Sequence, residues 1–66
     1  MVERIGKAAG DIWELLKSQG EIPITKLNKE TGLPANLFYM ALGWLSREDK
    51  LSYRRDKRKL YVVLKE

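Results

Sequence analysis

Residues 25–51 read TKLNKETGLPANLFYMALGWLSREDKL, and this stretch sets the architecture. Thr25 suits a helix N-cap, its hydroxyl accepting from a free backbone N–H. A short helix then spans about Lys26 to Thr31, with Leu27 inward and Lys26, Lys29 and Glu30 towards solvent. Gly32 offers the left-handed conformation that lets a helix stop. Pro34 fits the first turn of the next helix, where its missing N–H costs nothing. That helix ends near Asp49, a residue type that tolerates the left-handed conformation better than most. Two helices joined by three or four residues around a glycine form a helix-turn-helix.

The second of these helices is apolar most of the way round. At 100° per residue, Phe38, Ala41, Leu42 and Leu45 make its core face. Asn36, Tyr39, Met40, Gly43 and Arg47 fall opposite, with Leu37 and Trp44 together on one flank. A helix of this kind needs cover on more than one side, and few elements are left to supply it.

Working outward, Val2, Ile5, Ala9, Ile12 and Leu16 recur at spacings of three and four, which predicts a helix over residues 2–19 closed by Gly20. Gly6 and Gly10 each weaken that helix by roughly 1 kcal/mol relative to Ala; four apart, they point to close approach of another backbone. Residues 21–25 read as a short extended piece with Ile22 and Ile24 on one face, and Pro23 confines it to a sheet edge. Residues 51–64 read as a hairpin in which Leu51 and Tyr53 alternate, as do Leu60, Val62 and Leu64. A loop over residues 55–58 pairs Arg54 with Lys59, Tyr53 with Leu60 and Leu51 with Val62, placing all five apolar residues on one face. It also sets two like charges opposite each other, which is destabilising unless an anion binds there. The combined core is Ile12, Leu16, Leu27, Phe38, Leu42, Leu45, Tyr53 and Val62.

Sixty-six residues make a single domain spanning 1–66, one that buries only about 60% of its unfolded surface. Cys and His are both absent. Disulfides, the usual zinc ligand sets and the common nucleophile–base pairs are thereby excluded. No phosphate-cradling glycine loop occurs either. An enzyme is not expected, nor are a cofactor, a metal or a small-molecule substrate. No apolar run approaches membrane-spanning length and charges interrupt the N-terminus, so no membrane partner is expected and a cytoplasmic location is. The net charge of +4 divides unevenly: residues 50–66 hold seven bases and two acids, residues 1–49 six bases and seven acids. A polyanion should meet the C-terminal hairpin first.

Helix, short strand, helix, turn, helix and hairpin, in that order, make a winged helix-turn-helix: an α+β, mainly α, fold of three helices with an edge strand and a C-terminal wing. GKAAGDIWELL at 6–16, the turn TGLP and ALGWLSREDKL at 41–51 resemble a small bacterial winged-helix family of uncharacterised function. The resemblance covers nearly the whole chain. It implies the fold and a nominal DNA-binding label; with DNA as the expected partner, a transcription-related role is the expectation for the chain. The positions of a groove-reading helix map to Ala35, Asn36, Tyr39, Met40 and Gly43, of which Asn36 can read adenine and Tyr39 contact phosphate. The wing's Arg54, Arg55, Lys57, Arg58 and Lys59 would grip phosphates. The alternative is a protein-interaction or homodimerisation module that uses Met40, Gly43 and Trp44, since Trp and Tyr are common interface anchors.

Overall fold

The computed structural model describes residues 2–65. Helix α1 (Val2–Gln19) leads to strand β1 (Ile22–Pro23), α2 (Ile24–Thr31), α3 (Ala35–Arg47), β2 (Leu51–Asp56) and β3 (Lys59–Leu64). The sheet is antiparallel in the order β1-β3-β2. Helices, edge strand and hairpin follow one another as in a winged helix.

The helix C-termini carry the expected chemistry, while the starts of α2 and α3 differ from expectation. Gly20 (φ 77°) and Gly32 (φ 68°) are both left-handed, and each amide closes its helix on the carbonyl four residues back, at Leu16 and Asn28. Thr25 is not the cap of α2. The helix starts two residues earlier, at Ile24 behind Pro23, with no side-chain cap, because the antiparallel pairing of Pro23 with Tyr61 delivers the chain directly into the first turn. Ile24 therefore begins a helix instead of continuing the strand face of Ile22. Pro34 likewise precedes α3, its carbonyl accepting from Phe38 N–H at 2.9 Å. At the far end Asp49 is left-handed (φ 59°); its amide bonds Ser46 O at 2.9 Å while Lys50 N–H reaches Leu45 O at 3.0 Å. This is the Schellman pair of bonds, with Asp where Gly is usual.

α1 and α3 cross over the sheet's inner face. Phe38, Ile12, Leu16, Leu27 and Val62 are wholly enclosed, and Leu42, Leu45, Ala41 and Leu37 complete the core with Ala8, Ala9, Ile22 and Leu51. Tyr53 does not belong to it: 43% of the residue is exposed. Its position on the inner face is right, but beyond Leu51 the strand rises past the helices. The last turn of α3 meets it there, where Ser46 Oγ and the Tyr53 hydroxyl share a hydrogen bond.

The hairpin closes in two residues, Lys57 and Arg58, not four. Arg54 faces Tyr61, Tyr53 faces Val62, and Asp56 faces Lys59. A shift of two leaves every side chain on its expected face. It removes the Arg54–Lys59 opposition and puts opposite charges across the ladder beside the turn. The tight closure has a local cost: Lys57 takes φ 57°, a value that favours Gly.

Candidate nucleic-acid interface

The outward side of α3 has two flanks. Helical spacing puts Ala35, Tyr39 and Ser46 on one and Met40 and Trp44 on the other, with Asn36, Gly43 and Arg47 between. The Ser46–Tyr53 hydrogen bond turns the first flank towards the wing. Trp44 and Leu45 instead line a groove with Gly6, Gly10 and Trp13 of α1. Tyr39 is 53% exposed and its ring meets the edge of Phe38 at 5.2 Å, so the phenol is braced from below and open above. Asn36 is exposed, but its Oδ1 accepts from Leu37 N–H at 2.9 Å. The amide NH2 remains available; a bidentate contact to adenine requires the oxygen to leave that bond.

Strand alternation splits the five wing cations. Arg55 shares the inner face with Tyr53, beside the polar flank of α3, and Lys57 and Arg58 form the tip. Arg54 and Lys59 point to the outer face. All five are exposed, yet the fold does not gather them into one cluster. Arg54 is engaged from three directions. Its guanidinium grips Glu21 with contacts of 2.9 and 3.2 Å, lies 3.7 Å from Asp56 and stacks on Tyr61 at 4.6 Å. The hydrogen bond from Arg54, with its charge in support, holds the Glu21 carboxyl below the usual carboxylate range against a smaller desolvation effect. Lys59 lies with Lys26, Lys29 and Thr25 around a shallow concavity beside the start of α2.

Three contributors escaped the sequence reading. Lys26 and Lys29 looked like solvent-facing charges, and only the pairing of β1 with β3 brings them to Lys59. Ser46 is legible as a polar residue two turns beyond Tyr39, but periodicity assigns its partner Tyr53 to the core. Gly43 has no heavy atom within 4 Å of where a Cβ would sit, and the same holds for Gly6 and Gly10. The close approach expected at Gly6 and Gly10 is not made within the described residues. Among those residues no cluster of carboxylates could hold a metal, and no helix is long and apolar enough to cross a membrane.

Similar proteins place this geometry in context. The family model "Winged helix-turn-helix domain (DUF2582)" matches residues 1–64. The uncharacterised protein MJ1608 of Methanocaldococcus jannaschii is 38% identical over 65 residues, 94% of this chain and 91% of its own. Among solved structures, BT2368 of Bacteroides thetaiotaomicron superposes with a TM-score of 0.82 at 27% identity, covering 94% of this chain and 76% of that one. The Zalpha domain of Carassius auratus PKZ, solved in complex with Z-DNA, gives 0.75 at 20% identity, with 92% and 97% covered. A fragment of a possible transcriptional regulatory protein of Mycobacterium bovis gives 0.66 at 25%, with 96% and 72% covered. The likeness thus reaches an archaeon as well as bacteria. Matched over residues 1–64 by the model and over 94% of its length by a relative of nearly equal length, the chain belongs to the winged helix-turn-helix family DUF2582.

Proposed function

We propose that this protein binds duplex DNA with the wing-side flank of α3 and the inner face and tip of the wing. Asn36, Tyr39 and Arg47 face the groove and its edges; Arg55, Lys57 and Arg58 hold phosphates. The observation that carries the reading is the continuity of this surface. The Ser46–Tyr53 bond joins α3 to the wing, and from there exposed polar groups and cations run to the tip without a carboxylate until Asp56. Arg54 and Lys59 lie outside the contact, the first held by Glu21 and the second turned towards α2. Two proteins of similar fold are a domain solved in complex with Z-DNA and a possible transcriptional regulatory protein, which supports the class of partner. With only Asn36 and Arg47 of α3 able to read a base edge directly, phosphate contact supplies most of the affinity. A transcription-related role follows if Asn36 confers a preference for adenine.

The test is an NMR titration of the chain with random duplex DNA at low salt, with a left-handed duplex as a second probe. Shifts should fall on Tyr39, Tyr53, Arg55 and the tip. With three phosphate contacts, log affinity should fall against log salt with a slope of about −2.7. Replacing Arg55, Lys57 and Arg58 by Ala should remove most of that slope. Undiminished binding by this variant would end the proposal.

A further inference from the structure

The exposed side of α1 carries a second periodic stripe that neither the core nor the DNA contact uses. Glu3, Gly6, Gly10, Trp13 and Lys17 recur at spacings of three and four, the repeat of a helix that packs along a partner helix. They sit beside the core stripe, and the middle three line the groove that Trp44 bounds from α3, with Glu48 and Lys50 at its end. Nothing in the described chain fills the groove: a Cβ at Gly6 or Gly10 would meet no heavy atom within 4 Å. Trp44 is 40% exposed and Met40 39%.

The charges on this stripe identify what fits. Glu3 lies seven residues before Gly10 and Lys17 seven after it, about 10 Å away along the helix in each direction. A second α1 laid antiparallel across Gly10 brings each Glu3 level with the other copy's Lys17. It also brings each Trp13 to within one residue of the other copy's Gly6, where the missing Cβ leaves room for an indole. An isologous two-fold contact requires this self-complementarity. A stripe acidic at both ends, or basic at both, would repel its own copy. The Lys17 ammonium now rests over the Trp13 ring, 4.8 Å from its centroid; in the pair it turns to a carboxylate at the same level.

We infer that the α1–α3 groove is a homodimer surface, occupied by α1 of a second copy running antiparallel, with Trp13 and Trp44 as anchors and reciprocal Glu3–Lys17 pairs at its ends. Trp44 belongs to this contact. Gly43 lies between the flanks and Tyr39 on the wing-side flank, so dimerisation leaves the wing-side face open. Self-association beside α3 and DNA contact by α3 are therefore compatible.

Sedimentation of the full chain without nucleic acid, over micromolar to several hundred micromolar, tests the contact independently of DNA binding. Wild type should pass from monomer to dimer across that range. Glu3→Lys should weaken association at least tenfold, and Glu3→Lys combined with Lys17→Glu should restore most of it. Gly10→Gln points into open space in the monomer and should keep or raise the melting temperature while abolishing the dimer. A wild type that stays monomeric throughout overturns the inference. So does a dimer indifferent to Glu3→Lys or Gly10→Gln, or one that the double charge swap fails to recover.

Discussion

Arg54 is the residue whose surroundings change its meaning most. As one of five cations around a hairpin it reads as a phosphate ligand, but a carboxylate 33 positions away holds it from β1's side of the sheet. Glu21→Gln should release it. The salt slope of DNA binding should then steepen by about 0.9, one additional phosphate contact; an unchanged slope would mean that Arg54 either never leaves Glu21 or cannot reach the backbone. The same pair gives a pH dependence of definite sign. Because the folded state lowers the Glu21 pKa, its contribution to stability is complete above the ordinary carboxylate range and is lost as pH falls through the folded value. Thermal melts of wild type and Glu21→Gln should therefore converge on acidification. No reading of the sequence could find this contact. Glu21 and Arg54 share an outer face only because β3 lies between their strands, and an exposed acid in a short extended segment carries no mark of its partner.

At the scale of elements, the wing shows which features of a hairpin the sequence specifies. Alternation of Leu51 with Tyr53 and of Leu60 with Val62 and Leu64 fixed the faces correctly. The loop length remained open, because a shift of two obeys the same alternation. Like charges opposed at Arg54 and Lys59 argue against the four-residue loop, and the observed register removes that opposition without an anion. The two-residue turn leaves Lys57 left-handed, which costs a non-glycine residue about 1–2 kcal/mol. Lys57→Gly should stabilise the domain by about 1 kcal/mol in urea unfolding while reducing the magnitude of the salt slope by about 0.9. A loss of stability would show that the Lys57 side chain makes a compensating contact. α3 was legible for its core face, every member of which is buried, and unclear on the outside. Its wheel gives Trp44 a direction but not a neighbour, and the groove with α1 exists only once the two helices cross.

For the whole molecule, one small core carries most of the stability, as the convergent periodicities of α1, α2, α3 and β3 required. Phe38 is fully enclosed at its centre. Phe38→Ala should cost about 3–5 kcal/mol, comparable with the roughly 3–10 kcal/mol available to a chain of this length. Tyr53→Ala should cost far less, since only the Ser46 hydrogen bond and partial burial are lost. Circular-dichroism melts of the two variants distinguish the observed core from the one expected: equal losses would return Tyr53 to it. The sheet's edges have a consequence for crowded solution. On one side the free edge is two residues long and ends in Pro23, which has no N–H to offer. On the other, β2 carries Arg54, Arg55 and Asp56 in succession. Neither side gives an incoming strand a flat apolar template. Concentrated samples should remain free of fibrils, and molecules that meet should do so through helices instead of by extending each other's sheets.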